Sequence, residues 1–217
     1  MINDQIHKLF NDLYLKHGIS PKSVKNISKA QLNIRFKYLF NSVDIDKNDK
    51  ILDVGCGYGE MLPYLRKKKI GKDYLGLDYI KGFIDHANKK YEKDKKAKFK
   101  IFDLKKNNIV NNFDWVVSSG LFHDKRNDSS KFFYETISKM YSASQKGIMF
   151  NAMSTHVDYR DPTLFYLSPE KVINFIIKNL SKKVLYRSDY QTKKDVIPYE
   201  FTVCIRKFKR WKKIAFT

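Results

Sequence analysis

The chain predicts an α/β fold: a doubly wound, largely parallel sheet with helices on both faces and an N-terminal helical cap. Three observations predict it. Short apolar runs ending in Gly or Asp alternate with helix-period segments from about residue 50 onward. The last two strand-like runs have no helical pattern between them, so at least one is antiparallel. Two helical segments, about 2–16 and 28–42, precede the first strand and are too short to form a domain.

"KILDVG" (50–55) is a buried-strand run stopped by glycine, and "GEMLPYLRKKK" (59–69) follows as a helix. "DYLGLD" (73–78) is a second strand ending in acid. "YIKGFIDHANKKYEK" (79–93) places Ile80, Phe83, Ile84, Ala87 and Tyr91 on one helical face. "KFKIFD" (98–103) is a third strand, again ending in acid, and "FDWVVSSG" (113–120) a fourth that runs into Ser-Ser-Gly. "SSKFFYETISKMYSAS" (129–144) is a helix with Ser129 or Asp128 as N-cap. "GIMFNAMS" (147–154) is the fifth strand. "SPEKVINFIIKNL" (168–180) opens with a Ser cap, Pro at the first helical position and Glu in the first turn. "KKVLYRSDY" (182–190) and "YEFTVCIRK" (199–207) alternate as a terminal strand pair. The expected organisation is a cap over 1–45, a ligand-binding domain over 46–207 and a basic tail over 208–217.

Length and composition suit one sizeable domain: 217 residues, 42% hydrophobic and 15% aromatic, enough for a packed core. The formal charge of +20 suggests an acidic partner. The cation used is Lys, however, with 36 Lys against 7 Arg beside 20 Ile, 15 Asn and 6 Ala. That is the profile AT-rich codons produce, whereas readers of nucleic-acid sequence lean on the planar fork of Arg. Cys56 and Cys204 show neither metal spacing nor a disulfide framework, and no cluster of ligand residues has metal spacing. The N-terminus lacks an apolar export segment and no run approaches the ~18–20 residues of a membrane span. A cytoplasmic protein without a membrane span is expected.

The chemistry lies in "ILDVGCGYGE" (51–60). Gly55, Gly57 and Gly59 give G-x-G-x-G, not the G-x-G-x-x-G of a dinucleotide turn. Ligands in doubly wound sheets sit at the carboxyl ends of the strands, and three such ends carry Asp53, Asp78 and Asp103. Three acids repel a pyrophosphate. They suit S-adenosyl-L-methionine, which has no phosphate but a sulfonium, an α-ammonium and a ribose diol. Asp78, 19 residues beyond Gly59, is placed to accept the ribose hydroxyls, and Asp103 to accept from the adenine amino group. Arg35, four residues after Gln31 on one helix face, is a candidate for the cofactor carboxylate.

"ILDVGCGYGEMLPYL", "YLGLDYIKGFIDHA", "FKIFDL" and "FDWVVSSGLFH" together resemble the successive cofactor motifs of class I S-adenosylmethionine-dependent methyltransferases, over about 50–207. The resemblance implies a Rossmann-like, seven-stranded sheet with a reversed last strand. It implies that Asp53, Gly55 and Gly57, with Cys56 between the glycines, line the methionine half of the cofactor. It further implies that Asp78 binds the ribose, Tyr79 packs on adenine, Asp103 and Leu104 hold the adenine edge, and Ser119, Gly120 and Leu121 line the crevice of methyl transfer. Local features of the N-terminal run and the fifth strand resemble bacterial small-molecule members.

A general base is needed only for a hydroxyl or protonated-amine acceptor, and His123, just past the fourth strand, is the candidate, with Asp124 beside it. His156, Tyr159 and Asn151 are weaker candidates near the fifth strand. "DPTLFY" (161–166) lacks the second Pro of an Asp-Pro-Pro-Tyr motif and follows the wrong strand, which argues against base N-methylation of DNA. The expected function is methyl transfer to a small-molecule acceptor, such as a sugar, cell-surface or secondary-metabolite precursor, with an anionic acceptor suiting the surplus lysines. The alternatives are an RNA methyltransferase, in which the tail "RKFKRWKKIAFT" (206–217) contacts phosphates and bases, and a non-catalytic cofactor-binding subunit.

Overall fold

Alternation along each strand decides which side chains face which layer. In β1 (Lys50–Val54), Leu52 and Val54 point to one face while Ile51 and Asp53 point to the other. The computed structural model, which describes residues 3–25, 28–193 and 199–208, repeats this division in every central strand. The other strands are β2 (Asp73–Asp78), β3 (Ala97–Ile101), β4 (Phe113–Ser118), β5 (Ser144–Ser154), β6 (Tyr166–Leu167), β7 (Val184–Arg187) and β8 (Glu200–Arg206). The sheet order is β3-β2-β1-β4-β5-β8-β7. β8 runs antiparallel to both β5 and β7, and the remaining pairings are parallel. The expected reversed last strand is therefore present.

The helices are α1 (Asn3–His17), α2 (Lys29–Phe40), α3 (Met61–Lys68), α4 (Lys81–Lys90), α5 (Ser129–Ala143) and α6 (Pro169–Asn179). A 3-10 turn (Pro21–Val24) links α1 towards α2. α2, α3 and α4 cover one face, burying Phe36, Leu39, Leu65 and Ile84 against Ile51, Trp115 and Met149. α5 and α6 cover the other, where Phe133, Ile137, Val172 and Ile176 meet Val116, Phe150 and Val203. Each such fully buried aliphatic or aromatic side chain contributes roughly 1.5–3 kcal/mol relative to exposure. The α6 start behaves as its sequence predicts: Ser168 Oγ accepts from the Lys171 backbone N at 3.2 Å, with Pro169 next in line.

Several elements differ from the sequence reading. β3 ends at Ile101, so Asp103 stands on the following loop, and β4 ends at Ser118, so Ser119 and Gly120 lie in the turn. β5 begins at Ser144, three residues earlier than its apolar run, because Ser144 pairs with Phe113 across a register shift. β6 is an unexpected two-residue strand on the β4 edge of β5, paired at Met153 and Ser154. At α5, Asp128 holds the N-cap position without a side-chain cap bond, and Ser129 Oγ instead accepts from the Arg126 backbone N at 2.6 Å. The N-terminal segment is not one cap. α2 is part of the core layer, and α1 alone, with the 3-10 turn, lies over the top of the sheet. Of the proposed basic tail, only Phe208 falls among the described residues, and it is exposed.

Candidate active site

The strand order reverses direction between β1 and β4, and the crevice of a doubly wound sheet opens there. The glycine turn forms its floor. Gly55, Gly57 and Gly59 have φ of +77°, +54° and +84°, a region open to glycine at little cost. The Gly55 and Cys56 backbone N–H groups both donate to Leu77 O, at 2.8 and 3.0 Å, which ties the turn to β2. A side chain at Gly59 would also meet the Phe99 ring at 2.7 Å.

A cavity of about 480 Å³ opens above this turn. Its wall includes every residue expected to bind cofactor or to catalyse: Arg35, Asp53, Gly55, Cys56, Gly57, Asp78, Tyr79, Asp103, Leu104, Ser119, Gly120 and His123. Four separate loops and one helix, spread over about half the chain, thus meet in one space. α1 roofs it with His7 and Phe10, and the His7 ring lies 5.0 Å from the Tyr79 ring.

The acids differ in state. Asp53 is 2% exposed; its Oδ2 accepts from Tyr74 Oη at 2.7 Å, while its Oδ1 is buried without a partner. Burial, opposed by the Tyr74 bond and assisted by nearby Asp78, pushes this carboxyl up to about 7. Asp78 is half-buried at the end of β2. Its Oδ2 accepts from Gly57 N and its Oδ1 from Ile80 N, both at 2.9 Å. Burial raises Asp78, and these backbone N–H groups oppose the rise. Asp103 closes its own turn by accepting from Lys105 N at 2.9 Å.

The other end of the cavity holds the groups suited to acceptor chemistry. His123 is half-buried and its Nε2 is buried without a hydrogen-bond partner, as is Ser119 Oγ. Burial, with the Arg35 and Lys25 charges against those of Glu200 and Asp124, pulls the imidazole down to about 4. His123 is therefore neutral at pH 7. Asp124 does not orient it directly: its carboxylate pairs with Lys25. Met153, Leu164 and Tyr199 complete this end.

Arg35 occupies the wall but its guanidinium is turned to a partner the sequence reading missed. Nε donates to Glu200 Oε1 and Oε2 at 3.0 and 2.9 Å, and Nη2 also pairs with Glu200. Glu200 is the acid that opens the apolar run of β8, an anomaly visible in "YEFTVCIRK" but without a visible partner. Asn151 is fully buried and bonds Gly120 and Glu200 instead of lining the cavity. His156 is exposed, pairing with Glu170 at 2.8 Å, and Tyr159 is 76% exposed; neither faces the cavity. Cys56 and Cys204 are buried free thiols. Among the described residues, no group of three or more His, Cys, Asp or Glu is arranged to hold a metal ion, and no helix is long and apolar enough to cross a membrane.

A methyltransferase domain family matches residues 52–142, from the glycine strand through α5. The methyltransferase-family protein Rv1506c of Mycobacterium tuberculosis is 29% identical over 164 residues, covering 72% of this chain and 92% of its own length. Among solved structures, magnesium protoporphyrin IX methyltransferase of Synechocystis with bound S-adenosylmethionine superposes with a TM-score of 0.64 at 12% identity, covering 95% of this chain and 93% of that one. Phosphoethanolamine N-methyltransferase 1 of Haemonchus contortus, in complex with phosphoethanolamine and S-adenosylhomocysteine, gives 0.65 at 14% identity, covering 93% of this chain and 48% of that one. The domain match over the cofactor motifs, the relative that aligns across most of its length and the shared fold bear out the resemblance of this chain to class I S-adenosyl-L-methionine-dependent methyltransferases.

Proposed function

We propose that this methyltransferase acts on a small molecule bearing an anionic group, with the cofactor and the acceptor sharing the cavity above the glycine turn. The observation that carries this reading is the enclosure of that cavity. It is roofed by α1 and the 3-10 turn, and its volume of about 480 Å³ lies within the roughly 300–1,000 Å³ of small-molecule sites. The cations Arg126 and Lys193 line it, beside the Lys25–Asp124 ion pair. Arg126 lies 4.4 Å from the Phe132 ring and Lys193 5.5 Å from the Tyr199 ring, so both charges sit against aromatic faces.

The donor and acceptor set fits the cofactor. The partnerless Oδ1 of Asp53 suits an ammonium group, Asp78 retains lone pairs for the ribose diol, and Tyr79, Asp103 and Leu104 suit the adenine. When bound, the cofactor supplies a methyl group already activated on a sulfonium. The chain's own work is then to align the acceptor, exclude water and take a proton where the acceptor carries one. His123 Nε2 is the group that takes it.

The direct test measures release of S-adenosylhomocysteine from S-adenosylmethionine with phosphoethanolamine, with an uncharged sugar and with a transcribed RNA. Turnover with the anionic small molecule, absent with the RNA, is the expected result. Turnover with RNA alone, falling steeply with salt, would replace this reading with RNA methylation.

Asp53 makes cofactor affinity pH-dependent. The carboxylate must be ionised to hold an ammonium group, and it titrates near 7. Affinity for S-adenosylhomocysteine, measured by calorimetry, therefore rises with pH and levels off above about 8, and below pH 7 it falls by as much as roughly tenfold per unit. In Asp53→Asn the profile is flat and low. A flat profile in the unaltered protein would remove Asp53 from the cofactor site.

A further inference from the structure

The buried pair of Arg35 and Glu200 is not explained by stability. Arg35 is 6% exposed and Glu200 is 1% exposed. Taking two charges from water costs several kcal/mol for each, and an apolar pair of the same volume is often the more stable choice. What the pair does have is a direction. Glu200 Oε2 accepts from Arg35 Nε at 2.9 Å and from Asn151 Nδ2 at 3.1 Å. Asn151 Oδ1 then accepts from Gly120 N at 2.8 Å, and Gly120 O accepts from His123 N at 3.3 Å.

The charge on Glu200 sets the order of this chain. An ionised carboxylate only accepts, so the Asn151 amide must turn its NH₂ to Glu200 and its oxygen to Gly120. The Arg35 fork lowers the Glu200 pKa against the rise from burial, keeping it ionised. Gly120 needs the bond. β4 has ended at Ser118, and Gly120 sits at φ +82°, so the sheet ladder no longer holds the turn that carries Ser119 and His123.

We propose that Glu200 is a positioning residue for methyl transfer. Held by Arg35 from α2, it orients Asn151, which pins the Gly120 turn so that Ser119 and His123 face the cavity. The inference rests on reading that cavity as the cofactor and acceptor site. It assigns a role to three side chains, from α2, β5 and β8, that lie outside the glycine motif and the strand-end acids.

The test uses the full chain and S-adenosylhomocysteine as probe, reading amide hydrogen exchange by NMR and affinity by calorimetry. In Asn151→Ala, exchange at Gly120 rises about tenfold or more beyond any rise at Val116 in β4, and affinity for the probe falls about tenfold. Glu200→Gln, which lets the amide turn either way, shows the same local rise at about threefold. The double variant Asn151→Asp with Glu200→Gln again sets a donor against an acceptor at each contact, and it returns Gly120 to the starting protection, below the rise in Glu200→Gln alone and in Asn151→Asp alone. General loss of stability would raise exchange at Val116 equally and would not be rescued. Folded Asn151→Ala with unchanged Gly120 exchange and probe affinity would overturn the proposal. If Asn151→Ala does not fold, unchanged values in Glu200→Gln do so. Absence of probe binding by the unaltered protein would instead refute the cofactor reading, and Gly120 exchange would still decide the network.

Discussion

His123→Gln lowers turnover of the acceptor selected in the release assay by about 100-fold or more, the usual scale for a lost general base. Affinity for S-adenosylhomocysteine stays within about twofold, because the Asp53 and Asp78 end of the cavity is untouched. The reason is local. His123 Nε2 is buried in the cavity wall without a partner, and the ring is neutral at pH 7 because burial pulls it down to about 4. Gln offers a similar polar outline but cannot take the proton. With the cofactor kept saturating at every pH, so that the Asp53 titration does not enter, kcat/KM for the acceptor in the unaltered enzyme holds level from about pH 8 to pH 5 and falls below that, following the imidazole. In the variant that acid limb is gone. Full turnover in His123→Gln would show that the acceptor needs no base, as a thiolate or a neutral amine does not.

The pH dependence of folding must be separated from that limb. A histidine held at about 4 when folded and 6.5 when unfolded leaves the unfolded chain binding more protons between those values, so stability rises with pH there. Asp53, about 7 folded against 3.8 unfolded, does the reverse over nearly the same window. The two slopes oppose each other, so the activity limb is not a folding limb.

Asp78→Ala weakens binding of S-adenosylhomocysteine by about 1.5–3 kcal/mol, the scale of a charge-assisted hydrogen bond lost from a partly desolvated site. Asp78 has two tasks. Its carboxylate holds Gly57 N and Ile80 N, fixing the glycine turn to the start of α4, and its remaining lone pairs face the cavity. Asp78→Asn keeps one oxygen but sets an NH₂ group against a backbone N–H, so it falls between the two. Calorimetry measures both, with circular dichroism to establish that each variant is folded. Affinity equal to the unaltered protein in Asp78→Ala would place the ribose elsewhere.

Most of the proposed cofactor half was legible because its signals are local. A strand, its terminal acid, a glycine turn and the next helix occur within about 30 residues, and each has its own periodicity or backbone requirement. Gly55, Gly57, Asp53 and Asp78 therefore stand out before any contact is known, and the cavity gathers them as the strand order requires. Asp103 was misplaced only slightly, onto a strand that ends two residues earlier. The cap was read less well. The 28–42 helix is amphipathic whether it covers a pocket or a sheet, and only the packing of Phe36 and Leu39 on Met149 decides for the sheet.

The sequence by itself determined the sheet with its helices, the reversed terminal strand and the acid-and-glycine site, all of which follow from patterns within single β-α units. Only the tertiary structure decided what Arg35 pairs with. Glu200 lies 165 residues away, and no periodicity links a helix residue to an acid across that distance. The same holds for the Asn151 bond to Gly120, for α1 as the roof over Tyr79, and for His123 as a buried, partnerless imidazole. These depend on which surfaces meet when the layers close, and desolvation then sets the charge state of what they enclose.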